Sequence, residues 1–192
     1  MFMRISHFLS LGFLFICVSC NNATPTASSA KKADKGPVNS KLSGAGTGKL
    51  MAVVTNYYGL KNALVASDAI KAGETSTQLQ IAVDSMSVFL KGDTINKAAF
   101  QPYLDTVMMQ SKTISGIQDL TCEKQRLAFS SLSAAIYTML KNAELKNGGV
   151  YKQYCPMAFN DKGAFWLSDV SEIKNPYFGK KMLECGEVQD SL

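Results

Sequence analysis

LMAVVTNYYGLKNALVASDAIKAGETSTQLQIAVDSMSVFLKGD, residues 50–93, is the stretch whose reading decides the fold. Leu50, Val53, Tyr57, Leu60 and Leu64 recur at intervals of three and four, which places them on one apolar stripe of a helix. Ser67 or Asp68 then offers an N-cap for a second helix. Its stripe is Ala72, Ser76, Leu79, Val83, Met86 and Leu90, closed by Gly92. The same spacing continues downstream. Phe100, Leu104, Val107, Ser111 and Ile114 mark a third helix bounded by Gly116, and Phe129, Leu132, Ile136 and Met139 mark a fourth that stops before Gly148-Gly149. Four stripes of this length joined by short connections predict a mainly α protein, an antiparallel four-helix bundle. Met86, Met108, Met109 and Met139 lie on or beside these stripes and read as core filler rather than as a ladder of metal ligands.

After Val150 the pattern changes. Residues 150–159 and 164–167 are rich in aromatic and branched side chains, and Asn160-Asp161-Lys162-Gly163 between them is a turn signal. A small C-terminal β-hairpin with irregular flanks is expected beside the bundle. Asn175-Pro176-Tyr177-Phe178-Gly179 marks a further turn.

Upstream of the bundle, residues 1–19 read as a lipoprotein signal peptide. Arg4 precedes an apolar run from Phe8 to Val18 that is too short to span a bilayer as a mature helix, and Val18-Ser19-Cys20 follows. The small residue before Cys20 resembles the site at which bacterial lipoproteins are cleaved and acylated, although Cys17 stands where Leu is preferred. Lipidation at Cys20 would anchor the chain to the membrane. Residues 20–48 are poor in large apolar side chains and read as a flexible tether with a reach of roughly 30 Å. Residues 49–192 form the folded domain. The Gly-Ala-Gly-Thr-Gly at 44–48 lacks the Lys-Ser/Thr ending of a phosphate loop and reads as linker.

The 192-residue chain is 46% hydrophobic and 18% charged, with a net charge of +5. That mild charge points to no nucleic-acid partner. Removal of the signal takes away His7, the one histidine, and leaves three thiols beside the lipidated Cys20: Cys122, Cys155 and Cys185. Cys122 at the start of the fourth helix reads as a structural thiol. Without histidine there is no Ser-His or Cys-His pair, and no carboxylate pair stands at an acid–base spacing, so the chain is read as a non-enzyme.

Cys155-Pro156-Met157 and Met182-Leu183-Glu184-Cys185 carry the remaining chemistry. Pro156 holds Cys155 and Met157 in extended geometry, two residues apart and on one side of a strand. Met182 and Cys185, three apart, would share one side of a helical turn. If the intervening chain folds back, the four sulfurs converge as soft donors suited to Cu(I) or Ag(I). A blue-copper site, catalytic zinc and attached haem each call for histidine. The rival reading is a Cys155–Cys185 disulfide, permitted outside the cytoplasm, which withdraws both thiolates. Residue physics alone leaves the two readings level, and a redox-switched version in which both occur is a third.

Tyr151-Lys-Gln-Tyr-Cys-Pro-Met-Ala, Gly163-Ala-Phe-Trp-Leu-Ser, Ile173-Lys-Asn-Pro-Tyr-Phe-Gly and Met182-Leu-Glu-Cys-Gly resemble one bacterial family, domain of unknown function 3347. Tyr58-Gly-Leu-Lys-Asn-Ala-Leu-Val-Ala-Ser-Asp and Gln125-Arg-Leu-Ala-Phe agree with it, so the resemblance runs from about residue 50 to 190. Similar domains are exported lipoproteins or are attached to periplasmic adaptor proteins of copper and silver efflux pumps. The resemblance therefore implies metal handling, a copper or silver efflux component as partner, and an outer-membrane anchor facing the periplasm. It tips the sulfur motif toward Cu(I) or Ag(I) held by Cys155, Met157, Met182 and Cys185.

Overall fold

The computed structural model describes residues 36–192. The signal segment, Cys20 and the first part of the tether lie outside the described residues. Four helices follow one another: α1 Gly44–Ala66, α2 Ala69–Leu90, α3 Thr94–Gly116 and α4 Glu123–Asn142. Each packs mainly against its sequence neighbour, as short connections demand. Every residue of the expected stripes is buried, from Leu50 on α1 to Met139 on α4. Among the methionines Met86 and Met139 are core residues and Met108 is partly buried, but Met109 is exposed and is not filler.

The helix starts have local causes. Asp68 accepts a hydrogen bond from the Lys71 amide (2.8 Å) and Asp93 one from Asn96 (3.1 Å), so α2 and α3 begin at side-chain caps. Ser67, the other candidate, instead ends α1 in the left-handed region. Helix α1 starts earlier than expected. Ser43 caps it by accepting from the Gly46 amide, and residues 44–48 form its first turn. Gly46 lets Phe89 and Leu42 pack closely, since a Cβ there would sit 3.0 Å from the Phe89 ring and 3.1 Å from Leu42 Cβ. The described end of the tether is pinned as well: Asn39 and Lys146 form an isolated antiparallel bridge, and the Lys41 amide donates to the Ala143 carbonyl.

Beyond α4 the chain forms a three-stranded antiparallel sheet of β1 Tyr151–Cys155, β2 Ala164–Ser168 and β3 Glu187–Ser191, in the order β2-β1-β3. The β1–β2 hairpin is the expected one, with Tyr151 opposite Ser168 and Cys155 opposite Ala164. Its loop, however, runs from Pro156 to Gly163 and includes the tight turn Ala158–Asp161, in which Phe159 and Asn160 leave right-handed helical geometry. Pro156 has no N–H to give the ladder, so β1 stops at Cys155. β3 pairs with β1 on its other side, across a bulge at Lys152/Gln153.

Sheet and bundle share a polar chain in the core. The Leu167 amide of β2 donates to Tyr57 Oη (3.0 Å); Tyr57 Oη lies 2.8 Å from Ser133 Oγ, which donates to the Phe129 carbonyl (2.9 Å). Burial raises the Tyr57 pKa well above its ordinary value, so the phenol stays protonated as donor. Lys61 is 2% exposed, with its ammonium 3.4 Å from Ser168 Oγ and 3.5 Å from Asp169 Oδ1. Burial pushes its pKa down, and Asp169 only partly counters this. An ion pair this long does little to offset desolvation. Lys61→Met is expected to leave thermal stability unchanged or raise it by up to about 2 kcal/mol. A loss beyond about 1 kcal/mol in denaturant unfolding would show that the lysine holds Ser168 and Asp169 more firmly than these distances allow.

Candidate sulfur site

The turn after β1 and the segment before β3 meet at one end of the sheet. Cys155 ends β1 and is fully buried; Cys185 is half-buried, its Cα lies 5.8 Å away, and the two are joined as a disulfide. Asn175 positions the second segment. Its amide donates to the Cys185 carbonyl (2.8 Å), its Oδ1 accepts from the Tyr177 and Phe178 amides, and its backbone N–H donates to Leu183. This Asx turn gives the expected 175–179 turn its shape.

The methionines are placed differently from the sequence expectation. Met157 lies past the strand end in a helical turn conformation and is 47% exposed, so it does not share a face with buried Cys155. Met182 follows the short 3₁₀ turn Gly179–Lys181, and the turn from 182 to 185 is closed by the Cys185 amide donating to the Met182 carbonyl (3.2 Å). Both methionines nevertheless line one open hollow of about 640 Å³, together with Leu127, Phe159, Tyr177 and Phe178. Thus Cys155 is joined to Cys185, and Met157 and Met182 border the same hollow. At its rim Phe159, Asn160 and Asp161 all have φ between 55° and 61°. Three successive non-glycine residues in the left-handed region are strained, a feature that gathers at ligand-binding segments.

The donor chemistry depends on redox state. As joined, the two cysteines supply no thiolate, and the remaining soft donors of the set are the two thioethers. Reduced, the two cysteines, whose Cα atoms lie 5.8 Å apart, could share one ion, whereas the hollow that Met157 and Met182 line includes neither of them. Among the described residues no group of three or more His, Cys, Asp or Glu forms a harder metal site. Cys122, the one free cysteine among them, is buried, and burial raises its pKa, as suits an inert structural thiol. Trp166 is fully buried in the sheet, 6.0 Å from the Tyr177 ring, and does not line the hollow.

Arg126 is the site residue that the spacing of apolar side chains did not reveal. It is 9% exposed and donates to the carbonyls of Pro176 (2.8 Å), Thr121 (3.2 Å) and Leu64 (3.2 Å) and to Ser67 Oγ (2.9 Å). It thereby ties the end of α1 and the 175–179 turn to α4, and its charge sits against the negative end of the α1 dipole. Gly179 makes room for it. With φ at +55°, a Cβ there would collide with Ser67 Oγ and lie 3.1 Å from Arg126 Nη2. Gly179→Ala is expected to cost about 2 kcal/mol or more, by strain and by parting Arg126 from Ser67. Urea titration of the two proteins reads this directly. An unchanged midpoint would show that the turn is not held against α1.

The molecule is a helical bundle capped by a small sheet, with a cysteine pair in the cap and, between cap and α4, a hollow that two methionines share with Glu123, Arg126, Asp161 and Lys181. The chain belongs to the family described as Protein of unknown function (DUF3347), whose model matches residues 53–148, half of its length. The matched part runs from α1 to the turn before β1, so the cysteine–methionine segments lie beyond it. No curated protein and no solved structure matches the chain.

Proposed function

We propose that this chain is an exported, lipid-anchored protein of the bacterial envelope that takes Cu(I) or Ag(I) as cargo at its sulfur cluster, for copper homeostasis or efflux. One observation carries the reading: Cys155 and Cys185, thirty residues apart in sequence, are adjacent, while Met157 and Met182 line a single hollow at the same end of the sheet. In the dithiol form Cys155 and Cys185 are the anionic donors, and the two thioethers are neutral donors that keep the ion exchangeable. An envelope dithiol opens the Cys155–Cys185 bond by thiol–disulfide exchange. It gives up two electrons and two protons and leaves as a disulfide. The ion then displaces the two thiol protons. The lipid anchor at Cys20 and the efflux partner belong to this reading on the strength of the resemblance.

Anaerobic titration of the reduced protein with Cu(I) against a chromophoric chelator tests it. The expected result is competition for about one equivalent, lost in Cys155→Ser/Cys185→Ser; equal curves for both proteins would refute it.

The bond itself favours a second reading, a structural or interaction lipoprotein in which the cysteine pair is a permanent staple. A thiol count on the denatured, unreduced mature protein separates them. One free thiol, that of Cys122, supports the staple, and three support an available site.

A further inference from the structure

Helix α2 carries a line of exposed apolar side chains opposite its core face. Ile70 is 68% exposed, Ile81 60% and Val88 51%. With the exposed Glu74, Thr77 and Asp84 they form the series Ile70, Glu74, Thr77, Ile81, Asp84, Val88, whose intervals are four, three, four, three, four. That spacing, which follows one face of the helix for about 27 Å, matches the period of a coiled-coil seam, with three of its six positions apolar and two acidic. The core stripe of the same helix is already buried against α1 and α3, so this second stripe packs against nothing among the described residues. The expected occupant of a seam is another helix.

The series also states which helix. It is symmetric about residue 79, so two copies laid antiparallel would set Ile70 against Val88 and Thr77 against Ile81. The same pairing sets Glu74 against Asp84, twice. Opposed carboxylates at both seam positions disfavour self-association and favour a partner with cations there. Glu74 already draws the ammonium of Lys71 to 2.9 Å, an exposed pair that a better placed cation displaces without large cost.

We propose that the outer face of α2 is a docking seam for an amphipathic helix of a partner protein. That helix bears apolar residues in heptad spacing and lysine or arginine opposite Glu74 and Asp84. The seam uses none of the sulfur residues and stands independently of the metal reading.

The test uses the folded chain as its own probe. Glu74→Lys/Asp84→Lys changes two exposed side chains and presents the required basic helix in rigid form. Sedimentation at low salt is expected to show wild type alone and the double variant alone as monomers. An equimolar mixture is expected to form a weak, transient 1:1 complex. Ile81→Asp in either component is expected to weaken the complex at least about tenfold, and added salt to weaken it further. A mixture that stays monomeric at several hundred micromolar overturns the proposal. So does a wild type that dimerises by itself, which would assign the face to a second copy.

Discussion

Phe129→Ala is expected to lose about 3–5 kcal/mol, the range for truncating a fully buried aromatic. Phe129 has no exposed surface, stacks on the Tyr57 ring at 5.1 Å and meets the Tyr177 ring at 5.8 Å. It therefore joins α4 to α1 and to the turn that carries the sulfur segment. Collapse of the cavity is hindered because Tyr57 is held by Ser133 and Leu167, and Tyr177 Oη by the Phe165 carbonyl (2.6 Å). For a domain of this size the loss amounts to about 10 °C or more in melting temperature. Leu127→Ala, two residues away and 59% exposed, is the control and should shift stability by no more than about 0.5 kcal/mol. Similar losses in the two variants would mean that cap and bundle are not packed as one core.

The second large effect is expected from Cys155→Ser/Cys185→Ser. The bond closes a loop with a sequence separation of 30, and the chain-entropy relation assigns such a loop about 3.5 kcal/mol. It ties the end of β1 to the segment between Asn175 and β3, which otherwise depends on the Asn175 hydrogen bonds and β3 pairing. Both cysteines are changed together so that no odd thiol is left to pair between molecules. Guanidinium unfolding should show a lower midpoint with a steeper slope, because an uncrosslinked chain exposes more surface when unfolded. Reduced wild type should coincide with the variant. A loss under about 1 kcal/mol would show that the hydrogen bonds alone hold the cap.

The four helices were legible because each carries a nearly continuous apolar stripe, broken only by Ser76 and Ser111, and every residue of those stripes is buried. Asp68 and the Gly116 boundary were legible for the same local reasons. The start of α1 was not. Gly44, Gly46 and Gly48 argue for linker by propensity, and the Ser43 cap, which accepts from the Gly46 amide, starts the helix there nonetheless. β3 was missed because Glu187-Val188-Gln189-Asp190-Ser191 is largely exposed and has one apolar residue, so no alternation marks it. Gly186 was its only hint, since a Cβ there would lie 2.8 Å from both Trp166 and the Tyr154 carbonyl.

At the site, the meeting of Cys155 with Cys185 was legible from the two flanking motifs. The direction of Met157 was not, because Pro156 ends the strand rather than extending it. Arg126, Gln153 and Lys61 escaped notice because buried polar residues follow no period. Gln153, for example, is placed by the three carbonyls of Val170, Ser171 and Glu172, all within 3.1 Å of its Nε2.

The central claim is that these sulfurs can bind a soft monovalent ion once the cysteine pair is reduced. X-ray absorption at the copper edge, on the reduced full chain loaded anaerobically with one equivalent of Cu(I), addresses it most directly. The expected spectrum has a first shell of two or more sulfur scatterers that disappears in Cys155→Ser/Cys185→Ser. A shell of nitrogen or oxygen, or a spectrum unchanged by that double substitution, would contradict it.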